Sequence, residues 1–275
     1  MKFLARLVFI VIISPTFLLN AAEPLITNVL PRGGQAGSEL NVTISGNRLK
    51  DSKEIFFYGK GITAFDVNAT NDKSVKAKFK ISKEAELGQH ELRLRTKSGI
   101  STLKTFWVGP YPNLAEKEPN TSFEDAQKIP INHTINGVVK NEDVDYFEFN
   151  ATKGQRISLE IEAIRLSGPL FDPYIAILDS NRFEVATSDD TELLLQDGTL
   201  STIIPKSGKY FVEVRESSYR GGNNFYYRLH IGDFPRPLIA FPSGGQAGKL
   251  LEVTFMGDPT GPIKKNIQLP NKENL

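Results

Sequence analysis

Residues 31–46 read PRGGQAGSELNVTISG and residues 242–257 read PSGGQAGKLLEVTFMG, so the chain contains an internal repeat. Ten of the sixteen positions are identical, and each copy opens with a glycine-rich loop. In the first copy, Leu40, Val42 and Ile44 then alternate with polar residues, which places them on one face of a β-strand. Duplication of a β module explains the repeat.

Short alternating segments bounded by Gly, Asn, Asp and Pro continue along the chain, and helical periodicity is scarce after residue 22. This pattern is typical of β-sandwiches. The predicted strands cover residues 39–45, 74–81, 90–95, 105–108, 146–149, 157–161, 174–178, 183–187, 199–204, 210–214 and 226–231. Residues 122–127 are predicted to hold one short helical turn. The expected fold is therefore all-β, with two sandwiches in tandem.

Domain boundaries follow from the prolines and from the repeat. We predict a sandwich over residues 23–109, a proline-rich linker over 110–121 and a second sandwich over 122–234. Residues 235–275 are an incomplete repeat of the first module. Half a sandwich cannot bury its own apolar face, so residues 258–275 are expected to be poorly ordered and the chain to be a piece of a longer protein or a truncated product.

Residues 1–22 have the pattern of an export signal. Lys2 and Arg6 precede an apolar segment from Leu7 to Leu19, and small residues follow up to Ala22. The alternative, a membrane anchor, is disfavoured because the apolar segment is interrupted at Pro15 and is shorter than a span requires. We predict a secreted, extracellular, periplasmic or cell-surface protein without a membrane span after signal cleavage.

Composition excludes several functional classes. The 33 Lys and Arg residues nearly balance the 32 Asp and Glu residues, which argues against nucleic-acid binding. Cysteine is absent, which excludes thiol catalysis and Cys-ligated zinc. The three histidines, His90, His133 and His230, lie far apart, with His133 in a predicted turn, and neither H-E-x-x-H nor G-x-S-x-G occurs. The chain is therefore predicted not to be an enzyme.

Two family resemblances extend this prediction. Residues 24–108 resemble an IPT/TIG-type immunoglobulin-like domain through Pro31, Gly34, Gly37, the Leu40–Gly46 strand and the start of a late strand at Gly88. Residues 114–233 look like a bacterial pre-peptidase C-terminal domain. That resemblance rests on three segments: EPNTS at 118–122, DVDYFEF at 143–149, and SGKYFVEV at 207–214 followed by YRL at 227–229. It implies a jelly-roll-like sandwich and an accessory role beside a catalytic domain, a polymer or a cell surface.

An acidic group of residues is the candidate metal site. Calcium takes six to eight oxygen ligands from loops rich in carboxylates, amides and carbonyls. The collagen-binding members of the resembled family hold calcium between the corresponding linker and pre-strand loop. That resemblance implies the following ligands: Glu116, Glu118, Asn120 and Asp145, with Glu142 or Asp143 as a further one. The alternative is that these side chains only cap loops, as solvated carboxylates commonly do.

The same relatives bind collagen through tyrosines on late strands. Tyr227 lies near one such position, whereas Val214 stands where another aromatic residue is expected. Tyr226 and Tyr227 are therefore the candidate ligand-binding residues. The predicted function is a non-catalytic, calcium-stabilised array of modules that binds an extracellular polymer, a cell-surface component or an adjoining domain. The alternative is the non-catalytic N-terminal part of an exported bacterial peptidase or other hydrolase.

Overall fold

The computed structural model describes residues 23–192 and 194–271. The predicted signal at residues 1–22 lies outside this part of the chain. The described residues form five β-sheets and a single 3-10 turn at Ile164–Leu166, so the all-β prediction is confirmed. Within the same residues no helix has the length and apolar character needed to cross a membrane.

Two four-stranded sheets form the first sandwich. Its strands are β1 (Leu25–Leu30), β2 (Gly33–Gln35), β3 (Glu39–Asn47), β4 (Ser52–Phe57), β5 (Ile62–Asn71), β6 (Ser74–Ile81), β7 (Gly88–Thr96) and β8 (Lys104–Gly109). The strand orders are β1-β3-β6-β5 and β2-β8-β7-β4, with β2 and β8 parallel. Alternation in β3 and β6 turns Ile44 and Phe79 inward, where Phe79 packs edge-on against Phe106 with ring centroids 5.2 Å apart.

Two five-stranded sheets form the second sandwich. Its strands are β9 (Asn113–Ala115), β10 (Gln127–Lys128), β11 (His133–Val138), β12 (Val144–Ala151), β13 (Arg156–Glu162), β14 (Pro173–Asp179), β15 (Glu184–Ser188), β16 (Thr199–Ile203), β17 (Gly208–Glu216) and β18 (Tyr226–Gly232). The strand orders are β10-β12-β17-β14-β15 and β16-β13-β18-β11-β9. Phe147, Phe149, Ile161 and Leu229 lie in the core between them.

Three local predictions differ from the structure. His133 begins β11 rather than lying in a turn, because the six residues from His133 to Val138 pair with β18 along its whole length. Residues 122–125 form a turn without a helix. Asn113–Ala115, within the predicted linker, pairs in parallel with β11 and joins the sheet. The linker is thus anchored where it approaches the second sandwich.

The two sandwiches contact each other through a buried arginine. Arg228 of β18 is fully buried, and its Nη1 donates to Glu162 Oε2 at 2.5 Å. A Cβ atom on Gly33 of β2 would lie 2.5 Å from Arg228 Cζ, so the guanidinium lies directly against the first repeat. Arg32 reaches the same junction, where it donates to the carbonyl of Leu166 and lies over the Tyr226 ring. Glycine at position 33 is therefore what allows this close approach.

The second repeat forms a separate three-stranded sheet of β19 (Ile239–Phe241), β20 (Leu250–Met256) and β21 (Ile263–Gln268). The expectation that residues 258–275 are poorly ordered is wrong for β21, because six of its residues pair with β20 in a regular antiparallel register. Residues 272–275 lie outside the described part. Leu238, Phe241 and Leu250 remain exposed on this sheet.

Asp258 ties this sheet to the second sandwich. It accepts hydrogen bonds from Arg156 Nη1 at 3.0 Å, the backbone N–H of Arg236 at 2.8 Å and the backbone N–H of Thr260 at 2.9 Å. Burial raises the pKa of Asp258, but these donors outweigh it and lower the pKa to about 2. The ionised carboxylate therefore stabilises the fold above the ordinary aspartate pKa of 3.8, and the contribution is lost as pH falls towards 2.

Replacing Asp258 with alanine is expected to loosen the C-terminal sheet. The part-buried donors of Arg156 and Arg236 lose their charged acceptor, which costs about 1–3 kcal/mol. Hydrogen exchange of the β20 amides measures the loss. The matched control is Glu252→Ala, which removes a pair with Lys264 in which both side chains are exposed, so its expected change is below about 1 kcal/mol. Equal effects in the two variants would contradict the assigned role of Asp258.

Candidate functional site

The predicted metal ligands come from two segments that meet at one end of the second sandwich. Glu116, Glu118 and Asn120 follow β9, whose pairing with β11 directs the chain along that sheet. The backbone N–H of Glu116 continues this pairing by donating to the Asn136 carbonyl at 3.0 Å. Asp143 precedes β12, and Asp145 is its second residue. The fold therefore brings together side chains up to 29 positions apart in the sequence.

Three carboxylates form the centre of the site. One oxygen each from Glu118, Asp143 and Asp145 lies within 4.8 Å of the others. Asn120 adds its amide, with Nδ2 donating to Glu116 Oε1 at 3.3 Å. We call these five residues the carboxylate cluster: Glu116, Glu118, Asn120, Asp143 and Asp145.

Two oxygens in the carboxylate cluster are buried without a partner. Asn120 and Asp145 are fully buried, and Oδ1 of each has no hydrogen-bond partner among the described residues. A buried acceptor without a donor is costly and rare in folded proteins. A cation bound among these oxygens would give both atoms a partner, and a donor set made of oxygens fits a hard cation such as calcium.

The electrostatics of the carboxylate cluster also favour a bound cation. Burial, followed by the charge of the neighbouring Glu116, raises the pKa of Asp145 far above its usual range. The ionised form of Asp145 is therefore disfavoured without a cation, because like charges lie close in a poorly hydrated place. A divalent cation favours the ionised form and removes this repulsion.

The hydroxyl of Tyr227 contacts two carboxylates of this site. Only 1% of it is exposed, and its hydroxyl lies 2.7 Å from Asp145 Oδ2 and 3.1 Å from Glu116 Oε1. That Tyr227 contacts a ligand stays a prediction, and in this structure alternation in β18 turns its side chain into the core. Tyr226 points the other way, is half-buried and carries Arg32 5.0 Å from its ring centroid.

Two other side chains lie beside the carboxylate cluster, and Glu142 is the one that was predicted as a ligand. Glu142 is exposed, with a φ of 59°, and it lines a depression beside Asp143 and Glu118. Lys140 Nζ lies 2.8 Å from Glu118 Oε1 and partly neutralises that exposed carboxylate. Between the two alternatives for the further ligand, the geometry favours Asp143 over Glu142.

One histidine lies in a hydrogen-bonded chain that superficially resembles a catalytic triad. His230 Nδ1 is 2.8 Å from Thr134 Oγ1, and its Nε2 is 3.2 Å from Glu162 Oε1. Thr134 is fully buried, so no substrate reaches its hydroxyl, and Glu162 is already paired with Arg228. The chain of contacts orients side chains at the junction of the sandwiches and does not supply an accessible nucleophile.

Sequence analysis did not predict a surface of stacked aromatic and cationic side chains on the sheet that contains β14 and β17. The guanidinium of Arg215 lies 4.0 Å from the ring centroid of Tyr174 and 4.8 Å from that of Tyr219. Arg182 lies over Phe123 in the same way at 4.9 Å. Outward positions of β14 and β17 follow from alternation once the inward face is known, but the sequence does not show which residues stack.

Part of the second sandwich matches a known family. Residues 143–216 match the model of the bacterial pre-peptidase C-terminal domain, which covers Asp143 and Asp145 of the carboxylate cluster. The resemblance of residues 24–108 to an IPT/TIG domain stays a prediction.

Part of the chain is similar to a bacterial protease. A probable subtilase-type serine protease of Deinococcus radiodurans is 28% identical over 110 residues, which are 39% of this chain and 14% of that protein. The chain thus spans about one seventh of the length of this curated relative.

Two solved structures show weaker likeness. The periplasmic inhibitor of g-type lysozyme PliG from Aeromonas hydrophila is 17% identical, with a TM-score of 0.30 over 39% of this chain and 96% of that one. SGBP-B of the mixed-linkage glucan utilization locus of Bacteroides ovatus, solved with a heptasaccharide, is 11% identical, with a TM-score of 0.29 over 75% of this chain and 53% of that one. Likeness at this level does not identify a ligand of this chain.

Proposed function

We propose that the chain is an exported, non-catalytic accessory array whose second sandwich is stabilised by calcium at the carboxylate cluster, and which binds a surface polymer or a partner domain. The observation that carries the calcium proposal is the pair of buried oxygens, Asn120 Oδ1 and Asp145 Oδ1, that lack partners among the described residues. The match of residues 143–216 to a non-catalytic family supports the accessory role.

Asn120 and Asp145, with Glu116, Glu118 and Asp143, would hold the cation. Bound calcium would contribute positive charge that keeps these acidic side chains together. The protein's own contribution is to fix them: Tyr227 orients Asp145, and the backbone N–H of Val138 donates to Glu116 Oε2 at 2.9 Å. In the proposed role the ion fastens the segment after β9 to the start of β12, so it sets the geometry of the array rather than reacting.

Calorimetric titration of the purified chain with calcium tests the proposal. We expect one saturable site and a melting temperature raised by about 5–10 °C at a hundredfold excess over Kd. Since calcium displaces the proton held by Asp145, its affinity is expected to rise between pH 6 and 8.

Matched variants locate the ion. Asp145→Asn and Asp143→Asn are expected to abolish binding or weaken it at least a hundredfold. Glu142→Gln and Glu124→Gln are the controls, because Glu142 lies beside the carboxylate cluster and Glu124 pairs with Arg182 on the surface. Absence of binding heat and of any thermal shift, or equal loss in the controls, would reject the calcium site.

A second candidate function is supported by the Deinococcus relative. We infer from this likeness to a protease that the chain is also compatible with the non-catalytic N-terminal part of an exported peptidase. The reading frame downstream of codon 275 distinguishes the two functions. A hydrolase domain there would favour the peptidase, whereas further sandwich modules would favour the binding array.

A further inference from the structure

A cavity of about 330 Å³ lies where the two sandwiches meet. The first sandwich contributes Leu87 and Trp107, the linker contributes Tyr111, and the second sandwich contributes Glu160, Arg165 and Phe234. Its volume lies at the lower end of the range of about 300–1,000 Å³ found for small-molecule sites, which commonly occur between domains. We call it the junction cavity.

Aromatic and aliphatic groups form one side of the junction cavity. The rings of Tyr111 and Phe234 lie 5.9 Å apart and inclined at 37°. Trp107 is largely buried, and its Nε1 has no hydrogen-bond partner within the described residues. Leu87 is 60% exposed at the edge. This side suits a ligand with a C–H-bearing face, because aromatic rings cover such faces with large contact area and little loss of side-chain entropy.

Charged groups form the other side, but each is already paired. The two oxygens of Glu160 lie 3.1 Å from Arg165 Nη2 and 3.3 Å from Arg236 Nη2. Those of Glu162 contact Arg228 and His230. Arg165 also pairs with Asp197 at 2.6 Å.

The charged side chains that line the junction cavity, Glu160, Glu162 and Arg165, are thus each paired, and their partners Arg228, Arg236 and Asp197 lie behind the lining. A charged ligand gains no unpaired opposite charge there, and its desolvation is not compensated. The paired carboxylates still have free lone pairs in fixed positions, which accept hydrogen bonds from hydroxyl groups.

From these contacts we infer that the junction cavity binds a short neutral segment of a carbohydrate chain. A sugar ring combines an apolar C–H face with several hydroxyl donors, which matches the two sides of the cavity, and the volume admits few rings. The inference rests on the proposed binding role and names its ligand class, but it does not depend on the calcium site.

Binding of neutral hexasaccharides of glucose and of mannose to the purified chain tests the inference, with the hexamer of galacturonic acid as the charged probe. All titrations are run in calcium, and calcium binding is measured on the same sample. We expect at least one neutral probe to bind and the charged hexamer to bind at least tenfold more weakly. Tyr111→Ala and Phe234→Ala are expected to weaken binding at least tenfold.

Two further variants keep the result interpretable. Leu87→Trp fills the edge of the junction cavity from an exposed position, so it is expected to reduce binding without lowering the melting temperature. The matched aromatic control is Tyr219→Ala, which lies against Arg215 of β17 and is expected to leave binding unchanged.

Failure of both neutral probes, preference for the charged hexamer, or equal loss in Tyr219→Ala and Tyr111→Ala would overturn the inference. A chain that binds calcium but no neutral sugar rejects the cavity alone. A chain that binds sugar but no calcium rejects the calcium site alone.

Discussion

Replacing Gly33 with alanine is expected to lower the free energy of unfolding by about 3 kcal/mol, whereas the same change at Gly244 leaves it unchanged within about 0.5 kcal/mol. The two glycines occupy the same position in the two copies of the repeat, so they have the same local sequence, GGQAG. The difference in the expected effect therefore comes only from their surroundings.

The physical reason is a collision with backbone. Gly33 pairs in parallel with Trp107, and an added Cβ would lie 2.1 Å from the Trp107 carbonyl oxygen and 2.5 Å from Arg228 Cζ. A carbonyl in a sheet cannot rotate away as a flexible side chain can, so β2, β8 or Arg228 must shift. No heavy atom lies within 4 Å of the corresponding Cβ on Gly244 among the described residues. Chemical denaturation of both variants measures the difference.

Similar losses in the two variants would show that this glycine serves the loop itself rather than the junction. A loss only in Gly33→Ala supports a role of the first repeat in holding the two sandwiches together. The sequence repeat cannot make this distinction, because both copies have the same glycine.

Strands with clear alternation were predictable from the sequence. Residues 74–81 alternate four apolar residues with polar ones, and β6 has these same bounds. Strand β11 was not predicted because Asn136 and Gly137 interrupt the alternation of apolar and polar residues along it. Gly137 has a structural reason: an added Cβ would lie 2.2 Å from Tyr227 Cζ. The Tyr227 ring lies against β11 at this position. Gly137 therefore weakens the strand pattern in the sequence, and it also leaves the space through which the Tyr227 hydroxyl reaches Asp145.

The carboxylate cluster was predictable in composition but not in detail. Acidic residues in two loops and the family resemblance predict that Glu116, Glu118 and Asp145 come together, and the structure places them at one end of the second sandwich. The contact of Tyr227 with Asp145 was not predictable. Alternation with Arg228 and His230 places Tyr227, Leu229 and Ile231 on the core face of β18, but it does not show which carboxylate the hydroxyl meets.

Replacing Arg228 with methionine is expected to cost about 3–5 kcal/mol, because it leaves Glu162 buried with a single partner. Burial raises the pKa of Glu162, but the charges of Arg228 and His230 outweigh it and lower the pKa to about 2. The folded protein therefore gains stability from ionised Glu162 above the ordinary pKa of 4.5, and this gain is lost as pH falls towards 2. In Arg228→Met that part of the acid dependence is expected to disappear, which denaturation series between pH 2 and 7 measure.

The double variant Arg228→Met with Glu162→Met separates two effects. One is the loss of a favourable ion pair, and the other is the cost of leaving a buried carboxylate without its guanidinium partner. It is expected to recover much of the stability, since apolar replacements of similar volume often substitute well for a buried ion pair. Arg95→Met is the matched control, because Arg95 and Glu54 form a pair in which both side chains are half exposed and worth less than about 1 kcal/mol. If the single variant at position 228 cost no more than this control, the guanidinium would not hold the sandwiches together. In that case the shape of the junction, and of the cavity beside it, would depend on Arg32, Trp107 and the linker instead.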